Sequence, residues 1–588
     1  MTGIPDRPNV LVLTIDALRS DRTGFGGYGR PTTPHLDRLA ADGTVCENAF
    51  SLGPFTLSAC AQIFTASRPL SYGGYDGGVD RRPTTLFKHF RDNGYRTTAV
   101  SVLHWVNRFL GYGDGFDEEI ILSTLNSLVG VTVALTRNSI VRYRSGAIDA
   151  DEFLRAVSPH IRKLFDDVEA YCAIMAANGE TYRRDYPDSF LVNSGYDYTR
   201  IEKIVVRHRN NFAHDPQAYV DKYLQGVPRA HEWLGREWRY ARSWGRLTDE
   251  IAFRAGNRLL AAFDPRLAQA RQHRFKSYVD SSSVADRLCR QIRTHDRSRP
   301  FLIWAHFMDT HIPYVSGRGR DWYRQTPRYL RELGYDGEIA PALTFEVKKP
   351  RNAVESEAFS ALYDASIRFT DESIGSILRT LDECGLADKT VVAVCGDHGE
   401  ELGEHGDYGH NFLFFDHNIH VPMIFRGGSA KRNHRLAGLT TSLDFAPSIA
   451  TFAGLAPDPK WEGDSVDSSS VAGRPHIVME SFFGSPCDFS DRPLYMGVRT
   501  RRHKYLWRER RDPHDRISPE GPELFDLIED PGETHNLYSH DHPLVGGFNR
   551  AIVDRLAEIP EIAPGRIASA FPEPFTAPGM AASNGTRS

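Results

Sequence analysis

Two apolar, β-branched runs stand far apart in this chain, and each ends in a carboxylate. The first, Val10 to Ile15, lies within NVLVLTIDALRSD (Asn9 to Asp21) and is followed at once by Asp16. The second, Thr390 to Val394, opens KTVVAVCGDHGEELGEHGDYGHNFLFFDHNIHVPMIF; it stops at Gly396, and Asp397 and His398 come next. Runs without polar alternation predict strands buried on both faces, as in a parallel sheet covered by helices. Such sheets gather their ligands just beyond the carboxyl ends of the strands. The chain is therefore expected to be α/β, with Asp16, Asp397 and His398 delivered to one sheet edge. Two carboxylates and an imidazole, joined by an oxygen nucleophile, make a donor set for a divalent cation. Arg19 and Asp21 read as local pairs that brace the loop. After His398, the residues Glu400, Glu401, Glu404, His405, Asp407 and His410 crowd a Gly-rich loop, and Val421 to Phe425 returns to the core.

Seven stretches in order carry a resemblance. They are NVLVLTIDALRSD, TPHLDRLAADGTVCENAFS, TLSACAQIFTASRP, FLIWAHFMDTHIPY, YDASIRFTDESIGSIL, GDHGEELGEHG with GHNFLFFDHNIHVPMIF, and LFDLIEDPGETHNL. Over roughly residues 9 to 116 and 300 to 540 the chain resembles the sulfatase branch of the alkaline phosphatase superfamily. The resemblance implies a mostly parallel sheet sandwiched by helices, a small C-terminal antiparallel sheet, and one divalent metal (Mn, Zn or Ca, with a transition metal favoured). It places the metal on Asp16, Thr56, Asp397 and His398. In sulfatases the segment matching PFTLSACAQIFTASRP reads Cys-x-Pro-x-Arg. With IFTASRP as anchor, Thr56 falls on the nucleophile position, Ser58 on the proline and Cys60 on the arginine. Sulfatases convert the Cys or Ser to formylglycine, whose hydrated aldehyde can expel sulfate; Thr cannot be converted that way. A Thr alkoxide can attack phosphorus, and the phosphothreonine can be hydrolysed, so Thr56 tilts the chemistry toward phosphoryl or phosphonyl transfer. Metal coordination is a recognised way to activate such a weak nucleophile. Thr56 can also be read as the N-cap of a helix starting near Leu57. Cys60, in the substrate-binding position, offers an uncharged thiol where the family offers Arg. By resemblance His311 and His410 contact the transferred group or protonate the leaving oxygen, and His405 is a lesser candidate for binding substrate.

The 588 residues allow one large α/β domain with insertions, or several domains. A net charge of −5 gives no hint of nucleic-acid binding. Seven cysteines, scattered singly, form neither a disulfide framework nor a CxxC site and fit a reducing, cytoplasmic setting. No signal peptide is expected before the first strand. Ile120 to Leu135 is the best transmembrane candidate, but polar residues interrupt it and it reads as a buried helix, so no membrane span is expected. The expected organisation is a catalytic domain over 1–470, a C-terminal α+β subdomain over 471–564 and a disordered tail over 565–588. Over about 122–298 the resemblance stops, and this stretch is read as a helical insertion expected to cover the site mouth. Within it, WLGREWRYARSWGR (Trp233 to Arg246) reads as an amphipathic helix with solvated Arg and packed Trp, or as a grip on an anionic substrate. The expected function is metal-dependent hydrolysis of phosphate, phosphonate or sulfate esters on a small molecule or glycan, through a covalent intermediate on Thr56. Two alternatives stay open: a phosphotransferase with a sugar or glycan acceptor, and a non-catalytic binding protein, which Ser58 and Cys60 motivate. A homo-oligomer is compatible with all three.

Overall fold

The structure is a computed structural model. It describes residues 7–75, 78–103, 105–187, 195–228, 232–238, 244–263, 278–314, 316–318, 322–335, 350, 352–410, 413–482, 493–509 and 521–572. The two runs that opened the sequence form neighbouring strands of one sheet. β1 is Asn9–Ile15, β2 Thr44–Phe50, β3 Arg96–Ser101, β4 Glu118–Ile121, β5 Phe301–Phe307, β6 Thr390–Gly396, β7 Glu401–Leu402, β8 Tyr408–Gly409, β9 Met423–Arg426 and β10 His434–Thr441. Eight of them pair in the order β10-β2-β9-β6-β1-β5-β3-β4, with β7 and β8 forming a separate two-stranded ribbon. Every pairing in the large sheet is parallel except those of β9, which runs antiparallel to β2 and β6. β1, β5 and β6 are buried almost throughout, as runs of Val, Leu and Ile without polar alternation require.

Register decides where the chemistry lands. Ile15 stands opposite Gly396 on one side and Phe307 on the other. The amide of Asp16 donates to the Phe307 carbonyl (2.9 Å), and that of Asp397 to the Ile15 carbonyl (3.3 Å). Three strands therefore release their chain at the same edge, and Asp16, Asp397 and the loop after Phe307 start side by side.

Helices cover both faces. A long helix spans Ala353–Glu383, and the Ser281–Thr294 helix packs beside it. Ile120 to Leu135 divides into the end of β4 and the start of the Leu125–Arg144 helix, whose Leu125, Leu128, Val129 and Val133 are buried. Among the described residues no helix is long and apolar enough to cross a membrane. Between 122 and 298 the described elements are helices, the longest being Ala150–Asp185. Of the Trp233 to Arg246 stretch, Trp233 and Trp238 are buried and Arg236 is exposed; residues 239–243 lie outside the described residues.

A second sheet follows: β11 (Ile477–Phe482), β12 (Leu494–Arg499), β13 (His503–Arg508) and β14 (Glu523–Asp526), antiparallel throughout. The Val545–Ala557 helix packs on it, and its Arg555 makes a bidentate pair with Glu480 of β11 (2.5 and 2.9 Å). The expected tail begins too early. Residues Pro564–Ala570 form a helix, because Ile567 and Phe571 find an apolar slot and Phe571 meets Trp507 at 4.5 Å between ring centres. The rest of that tail, from residue 573, lies outside the described residues.

Candidate functional site

Thr56 reaches the sheet edge from the Thr56–Thr65 helix. Phe55, extended at φ −157° and ψ 159°, is the residue before the first turn. Thr56 is thus the first helical residue and not its N-cap, which frees its hydroxyl from the helix backbone. That hydroxyl donates to Asp16 Oδ2 (3.3 Å) and lies 3.1 Å from His398 Nε2. His398 Nδ1 is held by the Gly399 carbonyl (2.8 Å), which aims Nε2 inward. Nε2 lies 3.8 Å from Asp16 Oδ1 and 3.7 Å from Asp397 Oδ2. One oxygen of Asp397, Oδ1, accepts from the amides of Ala17 (3.0 Å) and His398 (2.8 Å). The structure therefore brings the four expected residues Asp16, Thr56, Asp397 and His398 together, all at most 7% exposed.

The electrostatics of this cluster are unbalanced without a cation. Burial raises the Asp397 carboxyl far above the usual range, and the Asp16 charge adds to the rise. Burial also opposes charge on Asp16, but His311, His306 and His398 outweigh it and hold that carboxyl well below the usual range. The His398 imidazole is pushed down to about 3 by burial and by His410. Asp16 Oδ1 and Asp397 Oδ2 are buried and have no hydrogen-bond partner. Orphaned buried oxygens are costly; one ligand atom from each of Asp16, Asp397 and His398 lies within 4.8 Å of the other two, the spacing of a set that could hold a metal. The donors fit a divalent ion of hard to borderline character.

A second ring of residues surrounds the first. His311 follows β5; its Nδ1 donates to the Ile312 carbonyl (2.6 Å), and its ring lies 4.7 Å from that of His410. The backbone of this turn is held from the insertion side, where Tyr278 donates to the carbonyls of His311 and Pro313 (3.3 Å each). His410 lies 4.5 Å from the His398 ring, and its Nδ1 bonds Glu400 Oε2 (3.0 Å). Burial works against the His410 charge, but Glu400 more than offsets it and raises the imidazole. Tyr314 donates to the other Glu400 oxygen (2.7 Å). The trio His398, Glu400 and His410 also has ligand spacing. Both Glu400 oxygens are already engaged, whereas Asp16 and Asp397 each keep one oxygen without a partner among the described residues.

Sequence reasoning missed His306, Glu400 and Tyr314. His306 lies on β5 with Nε2 at 3.3 Å from Asp16 Oδ2, and its Nδ1 faces the Thr14 hydroxyl (2.8 Å), which also accepts from Trp304 Nε1 (3.0 Å). A polar residue in the apolar run FLIWAHF was the available signal. Arg19 does pair with Asp21, as expected, and it also clamps the distant Glu404 (2.5 Å) and the Glu400 carbonyl (3.0 Å). Cys60 is buried; burial and the nearby Asp397 and Asp16 charges push its thiol far up, so it stays neutral. His405 does not join the site. Gly403 (φ 109°) and Gly406 (φ 82°) turn the loop, so that His405 stacks on Phe415 at 3.7 Å and its Nε2 meets the Glu533 carbonyl at 3.1 Å.

The sequence model of the family described as Sulfatase matches residues 8–236 and 189–455. The chain belongs to the sulfatase family. Among its relatives is an arylsulfatase of Clostridium perfringens (strain 13 / Type A), 21% identical over 91% of each chain. Arylsulfatase K of Mus musculus is 26% identical over 43% of this chain, and the match spans only 49% of that relative's length. Among solved structures, a phosphonate monoester hydrolase of Agrobacterium radiobacter shares the fold at TM-score 0.53 and 16% identity, covering 94% of this chain and 95% of that one. Members of this family generally bind a divalent metal, and the orphaned oxygens of Asp16 and Asp397 suit one here.

Proposed function

We propose that this sulfatase-family protein is a metal-dependent hydrolase of phosphate or phosphonate esters, with Thr56 as nucleophile. The observation that carries the reading is the Thr56 hydroxyl at the start of a helix, 3.3 Å from Asp16 Oδ2 and 3.1 Å from His398 Nε2. Asp16, Asp397, His398 and Thr56 would hold one divalent ion, of transition-metal class because an imidazole joins the oxygens. When bound, the ion acts as a Lewis acid that lowers the hydroxyl pKa and offsets charge on the transferred group. Thr56 Oγ1 attacks phosphorus, its proton leaving along the bond to Asp16, and the P–O bond to the leaving alcohol breaks. The helix N-terminus behind Thr56 favours the anionic group. His410, whose imidazole Glu400 raises against the effect of burial, and His311 beside it bind the non-bridging oxygens or give a proton to the leaving oxygen. Water then attacks the phosphothreonine, the Thr56 O–P bond breaks, and the hydroxyl regains its proton.

Sulfate ester hydrolysis is the second reading, favoured by the arylsulfatase relatives. Against it stands the chemistry of position 56, since a threonine sulfate has no aldehyde route for release. Where relatives carry Arg, the neutral Cys60 contributes no charge, and the histidines take that share. The six described cysteines are all free thiols, which favours a reducing, cytoplasmic setting. The test is turnover of matched aryl phosphonate, phosphodiester and sulfate esters by the metal-loaded protein. Phosphonate or phosphodiester turnover well above sulfate supports the reading; sulfate as the sole substrate overturns it. Product that forms only when an acceptor sugar is supplied would assign a transferase instead.

A further inference from the structure

The same loop carries a second cluster that faces away from Thr56. Glu401 opens β7 and Glu400 stands just before it, and the two carboxylates meet different histidines. Glu400 faces His410; Glu401 faces His405 and His417. The Oε1 atom of Glu401 accepts from the amides of His405 and Asp407 (3.0 Å each), which fixes the carboxylate and leaves Oε2 without a partner. His405 Nε2 bonds the Glu533 carbonyl (3.1 Å), and a carbonyl can only accept, so that nitrogen carries the hydrogen. His405 Nδ1 is buried, and among the described residues it has no hydrogen-bond partner. His417 Nε2 is buried and without a hydrogen bond too, 3.9 Å from Glu401 Oε2. One ligand atom from each of Glu401, His405 and His417 lies within 4.8 Å of the other two.

We infer that Glu401, His405 and His417 form a second, structural site for a divalent transition metal of the Zn2+ class. Two imidazoles and one carboxylate suit such an ion, and three protein ligands leave one tetrahedral position for water. Ligand atoms about 2.1 Å from a tetrahedral ion stand about 3.4 Å apart, so a small contraction closes the set. The ion would fasten the loop that carries Glu400 and His410 to the C-terminal sheet. His417 neighbours Asp416, which pairs with Arg499 (2.7 Å) and Lys504 (2.6 Å) of that sheet, and His405 is already tied to Glu533. The competing arrangement is a simple ion pair between protonated His417 and Glu401.

The experiment counts Zn2+ bound per chain after dialysis and metal analysis, in the full-length protein. It uses wild type, D16N/D397N, which removes the ligands proposed beside Thr56, and His417→Gln or His405→Phe, the latter keeping the stack on Phe415. The expected result is one Zn2+ retained by D16N/D397N and lost when His417→Gln is added, with Zn2+ raising Tm only in the former. Against wild type, His417→Gln and His405→Phe each lower the count by one, which decides the matter even if D16N/D397N folds poorly. No Zn2+ on D16N/D397N, or a wild-type count unchanged by both histidine substitutions, overturns the inference and leaves the ion pair. A wild-type count of one that survives D16N/D397N but not His417→Gln supports this site while refuting the ion beside Thr56.

Discussion

Thr56→Val removes a hydroxyl and almost no volume, which makes it the cleanest test of the proposed nucleophile. Thr56 is 7% exposed, so Val occupies the same space beside the same walls. What disappears is the contact with Asp16 Oδ2 at 3.3 Å and with His398 Nε2 at 3.1 Å. The folding cost is set by those contacts to polar partners and comes to about 1–3 kcal/mol. The catalytic cost is larger, because among the described residues no other hydroxyl is placed against both Asp16 Oδ2 and His398 Nε2 to form the covalent intermediate. With binding and charge stabilisation left intact, turnover should fall by at least about 10³-fold, equivalent to about 4 kcal/mol of barrier. Thr56→Ser keeps the oxygen and loses one methyl, and should stay within about tenfold of wild type. The assay is steady-state turnover of an aryl phosphonate or phosphodiester, with rapid acid quench and peptide mapping for a modified Thr56. A Thr56→Val protein that folds normally and keeps more than about a tenth of wild-type turnover would refute the nucleophile assignment.

Other outcomes follow from other parts of the molecule. Chelation followed by dialysis should abolish turnover and lower Tm, with both restored by a divalent transition metal; full activity in metal-free protein would exclude the cation reading of Asp16 and Asp397. Gly53→Ala would set a Cβ 1.7 Å from Ser58 Oγ, on the helix that starts at Thr56. Overpacking of that kind costs about 1–3 kcal/mol, and turnover should drop with it, recovering in part when Ser58→Ala removes the oxygen; unchanged kinetics in Gly53→Ala would show that this contact does not position Thr56. Glu480→Gln strands the buried Arg555 and should cost about 3–5 kcal/mol in urea unfolding; a loss under about 1 kcal/mol would count against the pair as the main tie of the C-terminal helix. Burial opposes the Glu480 charge, but Arg555 prevails and holds the carboxyl below its ordinary 4.5. Its contribution is therefore present above that pH and lost as pH falls through the lower folded value. Wild type should lose stability on acidification below pH 4.5 more steeply than Glu480→Gln, and parallel curves would refute the linkage.

The apolar runs at Val10 to Ile15 and Thr390 to Val394 by themselves determined two central strands, because a strand buried on both faces has no polar alternation to hide. Each ended in a residue of chemical interest, so the sheet edge and the cluster of Asp16, Asp397 and His398 were legible before any coordinates. The Ser58 and Cys60 substitutions beside Thr56 were legible too. Tertiary structure alone decided the rest. Whether His306 is core or site depends on a one-residue choice of strand face, and only the pairing of β5 with β1 turns it to Asp16. Glu400 goes to His410 and Glu401 to His405 and His417, a split that a string of acidic residues does not reveal. His405 sits five residues from His410, yet positive-φ turns at Gly403 and Gly406 carry it to the C-terminal sheet. Thr56 required the path of Phe55 to show that its hydroxyl serves Asp16 and His398 instead of capping a helix. Local sequence sets the strands, but side-chain partners hundreds of residues apart are fixed by register and loop conformation, which local pattern does not encode.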